Sequence, residues 1–254
     1  MYIDIHCHLD DERLSDTKSV VDEFKSRGVT RAIFASCSDK SGTYGKEIAE
    51  KFDEIYFTAG FHPDEIERFN EENFEKVKNL LKHPKCVGVG EIGLDYHYEP
   101  YDKELQQKVF IEQLKLANEL DLPVEVHSRD ATKDTFDILK ANPLKRGGVM
   151  HCFSGSVEMA REFIKLGFYI SFAGVVTFKN GHRAKEVAKD IPLNRILTET
   201  DCPYLAPEPV RGTLNSPKNI PFITKYIAEL KGLTVEETAS AVMENAKRLF
   251  YKLK

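Results

Sequence analysis

Several residue types and patterns are missing from this sequence, and each absence excludes a class of protein. There is no tryptophan, and the five cysteines are scattered without the paired spacing of a disulfide framework. No apolar run approaches the roughly 18 residues of a membrane span, so no membrane association is expected. Acidic residues outnumber basic ones, 41 to 36, and the net charge of −5 argues against a general nucleic-acid coat protein. A nuclease stays possible, because bound cations would reverse the local field.

The bulk composition is that of a globular protein. Of the 254 residues, 41% are hydrophobic and 30% are charged. No long linker or low-complexity stretch interrupts the chain, which predicts a single domain over 1–254. The start of the chain has no signal-peptide pattern, which predicts a cytoplasmic protein. No obligate protein partner is evident, and we expect a monomer.

Strand-like and helix-like stretches alternate along the chain. The strand patterns cover 2–8, 30–36, 55–60, 86–91, 122–127, 147–151, 168–172 and 195–198. Two further helices are expected within 215–254, the last over 235–252. At about 250 residues, this alternation predicts an α/β protein of the (β/α)₈ TIM-barrel type with extra C-terminal helices. An open doubly wound sheet would need a glycine-rich turn after the first strand, and none is present.

The first predicted strand ends with two histidines on one face. His6 and His8 are two positions apart, and side chains alternate between the faces of a strand. Two imidazoles placed in this way can bind one metal ion from the same direction. The alternative is a polar strand end with two solvated histidines.

Other predicted strands also end in histidines or carboxylates. Glu91 closes the fourth predicted strand, His127 the fifth and His151 the sixth, while Asp201 follows the eighth. The carboxyl ends of barrel strands meet at one mouth, so these side chains are predicted to converge there. The candidate metal ligands are therefore His6, His8, Glu91, His127, His151 and Asp201. Such a mixed donor set suits Zn²⁺, Mn²⁺, Fe²⁺, Co²⁺ or Ni²⁺ and, less well, Mg²⁺.

Motifs over nearly the whole chain resemble those of the TatD family of metal-dependent hydrolases, within the amidohydrolase-like barrels. They include IDIHCHLD at 3–10, GFHPDE at 60–65, GEIGLDYH at 90–97, PVEVHSRDA at 123–131, MHCFSG at 150–155 and TETDCPYLAP at 198–207. The resemblance implies a deoxyribonuclease that hydrolyses phosphodiester bonds, cutting from a DNA strand end.

The same resemblance implies two divalent cations per subunit. His6, His8 and Asp201 would hold one ion, His127 and His151 would hold the second, and Glu91 would bridge the two. Two ions about 3.5–4 Å apart can activate water and neutralise phosphodiester oxygens. Asp201 is in addition the expected general base.

Four residues in loops after the strands are candidates for substrate binding. His62 is similar to a substrate-facing residue of the family, or else it caps a tight turn before proline. Arg129 can bind phosphate through its guanidinium, or else pair with Asp130 and only shape the loop. Lys179 and Arg211 lie in loops at the same end and would supply positive charge.

Two carboxylates are expected to act around the ligands, not as ligands. Glu199 shares the inward face with Asp201 and would orient a ligand or else only satisfy a buried partner. Asp95 would shape the loop after Glu91 or contact a ligand histidine. Because tryptophan is absent, any base-stacking surface must come from residues such as Phe61, Tyr96 or Tyr204.

Two other functions remain open from the sequence. One is a hydrolase of an amide, lactone or aminoacyl ester on the same metal centre, because one fold hosts many reactions. The other is a non-enzymatic metal-binding or partner-binding protein. Cationic loop residues at the mouth would favour the phosphodiesterase, and an open coordination position would favour an enzyme.

Overall fold

Eight parallel strands form a barrel in which the strands follow one another in chain order. The structure is a computed structural model that describes residues 1–14 and 16–254. The strands are β1 (Tyr2–Cys7), β2 (Val29–Phe34), β3 (Ile55–Ala59), β4 (Cys86–Asp95), β5 (Val124–Arg129), β6 (Gly148–Met150), β7 (Phe168–Phe172) and β8 (Ile196–Thr198). This order and the intervening helices confirm the predicted TIM barrel.

Helices cover the outside of the barrel between successive strands and after the last one. They are α1 (Thr17–Ser26), α2 (Asp39–Lys51), α3 (Glu71–Leu81), α4 (Lys103–Leu120), α5 (Thr132–Ala141), α6 (Val157–Lys165), α7 (His182–Asp190), α8 (Ile220–Lys231) and α9 (Val235–Leu249). Short 3₁₀ helices span Pro63–Arg68, Gly174–Thr177, Leu193–Arg195 and Pro217–Asn219. Within the described residues, no helix has the length and apolar character needed to cross a membrane.

Local sequence signals fix the ends of several helices. The Ser38 side chain accepts a hydrogen bond from the Ser41 N–H at the start of α2, and Thr234 and Glu237 form a reciprocal capping box at the start of α9. The two predicted C-terminal helices are present as α8 and α9. The second ends at Leu249, three residues before the predicted boundary, because Phe250 leaves the helical conformation.

The fourth strand is longer than predicted, so Glu91 does not close it. Residues up to Asp95 continue to pair with β5, with Gly93 opposite His127. A Cβ on Gly93 would lie 1.9 Å from the carbonyl oxygen of His127, and Gly93 has a φ of +147°. Glycine is thus required for the strands to approach and extend. For the same reason β5 runs to Arg129 and does not end at His127.

The barrel closes between its first strand and the segment that follows the last one. The Asp201 N–H donates to the His6 carbonyl at 3.0 Å, and the His8 N–H donates to the Cys202 carbonyl at 2.9 Å. Cys7 and Cys202 form a parallel bridge between them, and both side chains are fully buried. This closing seam brings residue 201 beside the histidines of β1.

Candidate metal centre

The end of β1 and the segment after β8 supply three donor atoms to one point. The Nε2 atoms of His6 and His8 are 3.1 Å apart. Asp201 Oδ1 lies 3.6 Å from the first and 3.5 Å from the second. Asp201 has a positive φ of 53°, a conformation that Asp adopts more readily than most residues, and this turn aims its carboxylate back across the seam.

Glu91 completes this first donor set from β4. Its Oε2 lies 3.5 Å from His6 Nε2 and 3.7 Å from His8 Nε2. Ligands at about 2.0–2.1 Å from a tetrahedral ion are about 3.3 Å from one another. The observed separations of 3.1–3.7 Å therefore fit a divalent transition metal at this point.

The other oxygen of Glu91 faces a second donor set. Its Oε1 lies 2.9 Å from His127 Nδ1, 3.3 Å from His151 Nε2 and 3.6 Å from His62 Nε2. One carboxylate thus has one oxygen in each set, which is the arrangement that a bridging ligand needs. The structure brings together all six predicted ligands and adds His62 to the second set.

Asp95 and Glu199 both contact predicted ligand histidines. Asp95 Oδ2 lies 3.0 Å from His127 Nε2. Glu199 Oε1 accepts a hydrogen bond from the Cys152 N–H at 2.6 Å and lies 3.1 Å from His151 Nδ1. The latter contact is close but poorly aligned, so within the described residues His151 Nδ1 has no hydrogen-bond partner.

Burial and charge shift the protonation of this cluster. Burial would raise the pKa of the Glu91 carboxyl, but nearby histidines, above all His151 and His62, hold that pKa well below its usual value. Burial, followed by the proximity of His151, lowers the pKa of His6 well below its usual value. Burial also acts to lower the pKa of His151, but Glu199 and Glu91 raise it to about 10. A metal ion would have to displace that proton on binding.

His62 combines both of the interpretations drawn from the sequence. Its Nδ1 accepts a hydrogen bond from the Asp64 N–H at 3.1 Å, so the ring does cap the turn that begins with Pro63. Its Nε2 nevertheless faces Glu91, and its ring packs edge-on against His127 with centroids 4.4 Å apart. Capping fixes the ring in the orientation that points it at the cluster.

A cavity of about 540 Å³ opens over the cluster. It is lined by His62, Asp64, Asp95, Tyr98, His127, Ser128, Arg129, His151, Cys152, Ser154, Asp201, Tyr204 and Leu205. The Arg129 guanidinium stacks on the Tyr98 ring, 4.8 Å from its centroid. Asp130 pairs with His97 at 2.7 Å and not with Arg129, which leaves the guanidinium on the cavity wall.

Lys179 and Arg211 do not line this cavity. Lys179 is exposed. The Arg211 guanidinium lies over the Phe178 ring at 4.1 Å and is 3.9 Å from Glu208. The predicted role of these two cations in substrate binding therefore has no contact with the cavity to support it.

The site also contains residues that the sequence analysis did not predict there. Glu125 lies 2.9 Å from His6, and its spacing of two from His127 on β5 was the signal that could have revealed it. Cys37 Sγ lies 3.9 Å from His8 Nδ1, and no sequence pattern marked it. Cys152, the neighbour of the predicted ligand His151, also lines the cavity. Phe61, a suggested stacking residue, is buried.

The same chain matches known proteins over almost its full length. Residues 3–251 match the family model described as TatD related DNase. The chain is 45% identical to the uncharacterized metal-dependent hydrolase YabD of Bacillus subtilis, with 98% of this chain and 99% of that protein covered. It is 37% identical to the uncharacterized metal-dependent hydrolase YcfH of Escherichia coli K12, with 98% and 95% covered.

A solved structure has the same fold. The crystal structure of a TatD homologue from Escherichia coli K12 superposes with a TM-score of 0.94 at 32% identity, covering 98% of each chain. The barrel, the clustered donor atoms and these relatives agree. The chain therefore belongs to the TatD-related DNase family of metal-dependent hydrolases.

Proposed function

We propose that this protein is a deoxyribonuclease that hydrolyses DNA phosphodiester bonds from a strand end, with two divalent cations per subunit. The observation that carries the proposal is the position of Glu91. Its two oxygens face two separate donor sets, 3.5 Å from His6 Nε2 and 3.3 Å from His151 Nε2. A paired-ion site of this kind suits in-line displacement at phosphorus, where attacking and leaving oxygens both need stabilisation.

The ions would be held by His6, His8 and Asp201 on one side and by His127 and His151 on the other, with Glu91 between them and His62 adjacent. When bound, two divalent cations supply Lewis acidity and activate water for attack. The histidine and carboxylate donors fit Zn²⁺, Mn²⁺, Fe²⁺, Co²⁺ or Ni²⁺ better than Mg²⁺.

The side chains of the protein would hold the substrate and move the proton. Arg129, on the cavity wall and supported by Tyr98, offers a planar fork for two phosphate oxygens. Asp201 lines the same cavity, and its carboxylate would accept the proton of the attacking water and later pass it to the leaving oxygen. Tyr98 and Tyr204 are 62% and 52% exposed and line the cavity, so they can stack on bases of the strand.

A second candidate is a hydrolase of an amide, lactone or aminoacyl ester. The observation that favours it is the charge of the cavity wall, where Arg129 is accompanied by Asp64, Asp95 and Asp201. A wall with one arginine and three carboxylates suits a polyanionic strand less well than a neutral carbonyl substrate. A non-enzymatic role is disfavoured by the open cavity over the cluster, because structural metal sites are usually closed.

A direct comparison of substrates tests these proposals. The protein, loaded with Mn²⁺, Co²⁺ or Zn²⁺, is incubated with end-labelled single-stranded and double-stranded DNA and, in parallel, with a lactone and an aminoacyl ester. The nuclease proposal expects release of short products from one labelled end. Turnover of the carbonyl substrates with intact DNA would assign the second function. Bound metal with no turnover of any substrate would favour the binding protein.

A further inference from the structure

Glu125 is a carboxylate in the interior of the barrel. It lies on β5 two positions before His127, and its side chain is completely buried. Its Oε1 is 2.9 Å from His6 Nδ1, and its Oε2 accepts a hydrogen bond from the Thr58 hydroxyl at 3.1 Å. Each oxygen therefore has one partner, although neither oxygen reaches solvent.

A buried carboxylate at this place is costly unless it is paired. Removing an ionised carboxyl from water is unfavourable by several kcal/mol, and its partners must offset that cost. The neighbouring positions of the strand, Val124 and Val126, are apolar and fully buried. The space is also tight, since a Cβ on Gly90 would lie 2.6 Å from the Glu125 Cβ. The Glu125 carboxyl group is therefore stabilised by its two polar neighbours, the His6 imidazole and the Thr58 hydroxyl.

The other three predicted ligand histidines, His8, His127 and His151, share this arrangement. His8 Nδ1 lies 3.1 Å from the Ala35 carbonyl oxygen, and His127 Nε2 lies 3.0 Å from Asp95. His151 Nδ1 lies 3.1 Å from Glu199. In each ring, one nitrogen faces the donor cluster and the other faces an oxygen of the protein. Glu125 supplies that oxygen to His6.

We propose that Glu125 is a positioning residue that fixes the ring orientation and tautomer of His6. Its Oε1 accepts a hydrogen bond from the Nδ1–H, which leaves the lone pair of Nε2 directed at His8, Asp201 and Glu91. Partners of this kind orient metal-binding histidines, and their loss typically weakens metal affinity about 10–100-fold. This proposal rests on the metal centre proposed above.

Metal titration of two Glu125 variants tests the proposal. Glu125→Leu keeps the approximate size and removes the acceptor, whereas Glu125→Gln keeps an acceptor oxygen without the charge. We expect Glu125→Leu to weaken binding of one Co²⁺ ion by about 10–100-fold, with a matching loss of the visible absorption of that ion. The second ion, bound by His127 and His151, should keep nearly its wild-type affinity. Glu125→Gln should retain part of the Co²⁺ affinity that Glu125→Leu loses.

Thr58→Val is the matched control. It removes the hydrogen bond to the other oxygen of Glu125 but leaves the contact with His6 in place. We expect Thr58→Val to weaken the ion that His6 binds less than Glu125→Leu does. Equal weakening of both ions in Glu125→Leu, or unchanged binding of both in a folded variant, would overturn the positioning role.

Nitrogen-15 NMR of the imidazole rings in the zinc-loaded wild-type protein keeps the proposal testable if the variants do not fold. We expect the His6 ring to carry its proton on Nδ1, and a proton on Nε2 would overturn the proposal. The two proposals also fail in different ways. Wild-type protein that binds no divalent ion would contradict the metal centre itself, whereas normal wild-type binding with an unaffected Glu125→Leu variant contradicts only the role of Glu125.

Discussion

The imidazole rings of His6 and His151 are stacked, with centroids 3.7 Å apart and planes inclined by 14°. Their Nε2 atoms face opposite oxygens of Glu91, and their Nδ1 atoms face two different buried carboxylates, Glu125 and Glu199. The stacked pair joins the two donor sets by direct contact. Each ring of the stacked pair thus serves a different donor set.

Metal removal gives the first prediction. The protein should carry up to two divalent transition-metal ions per chain after gentle purification and lose hydrolytic activity on chelation, because six donor residues converge within the barrel mouth. Elemental analysis before and after dialysis against a chelator, with re-addition of Mn²⁺, Co²⁺ or Zn²⁺, measures this. Full activity in metal-free protein would contradict it.

Replacement of Glu91 should damage both ion sites at once. Glu91→Ala removes the carboxylate whose two oxygens face the two sets, so both ions should be lost or strongly weakened. His151→Ala should mainly weaken the ion on the His127 side. Equilibrium dialysis of the two variants beside wild type compares them. Equal metal retention in Glu91→Ala and wild type would remove Glu91 from the bridging role.

Asp201→Asn separates metal binding from proton transfer. The amide keeps one oxygen for coordination but loses the basic charge, so the variant should retain much of its metal while kcat falls by about 100-fold or more. Metal content and turnover are measured on the same preparation. If metal is lost in step with activity, Asp201 acts as a ligand alone. Full activity in the metal-loaded variant would mean that another group accepts the proton of the attacking water.

Arg129→Ala tests phosphate recognition in the cavity. Loss of the guanidinium should raise KM for a phosphodiester by about 10-fold or more, because a charged hydrogen bond contributes about 1.5–3 kcal/mol. Lys179→Ala and Arg211→Ala should have smaller effects, since neither side chain lines the cavity. A larger increase in KM in Lys179→Ala or Arg211→Ala than in Arg129→Ala would show that the replaced side chain does bind the substrate. An unchanged KM in Arg129→Ala would favour the carbonyl substrate.

Gly93→Ala tests the fit between the fourth and fifth strands. The added Cβ would meet the backbone of His127, so the free energy of unfolding should fall by about 3 kcal/mol or more, from strain and overpacking together. Gly232→Ala is the matched control, because it also has a positive φ but has open space around it. Only the cost of the left-handed conformation, about 1–2 kcal/mol, is expected there. Denaturant unfolding that gives equal losses would show that the contact is unimportant.

The alternation of strands and helices could be predicted because each element has its own hydrophobic period, and the ligand positions followed from the convergence of strand ends. The length of β4 could not be predicted from the sequence, because it depends on the close contact between Gly93 and the backbone of His127 on the neighbouring strand. The local sequence also could not show which of Arg129, Lys179 and Arg211 lines the cavity, because the path of a loop depends on how it packs against residues far away in the sequence. The sequence placed all three at the same end, but only Arg129 reaches the cavity.

Glu125 shows a different limit. Its alternation with His127 was visible, but a charged residue on a strand is ordinarily assigned to solvent. Only the barrel shows that this face of β5 is enclosed and that a histidine of β1 lies opposite. A single sequence does not show which buried polar residues on distant strands form pairs.

The closing seam has a consequence for the order in which the molecule is made. Asp201 is synthesised 195 residues after His6 and 193 residues after His8, and the first donor set spans both sides of the seam. A nascent chain therefore holds the two histidines long before their carboxylate is made, and the proposed ion on this side would find its complete donor set only in the closed barrel. An ion that binds only the closed barrel also adds to its stability, by about 2.7 kcal/mol at a free concentration of about 100 times its Kd. The proposed ion on this side would then link the first strand of the sheet to the segment that follows the last one.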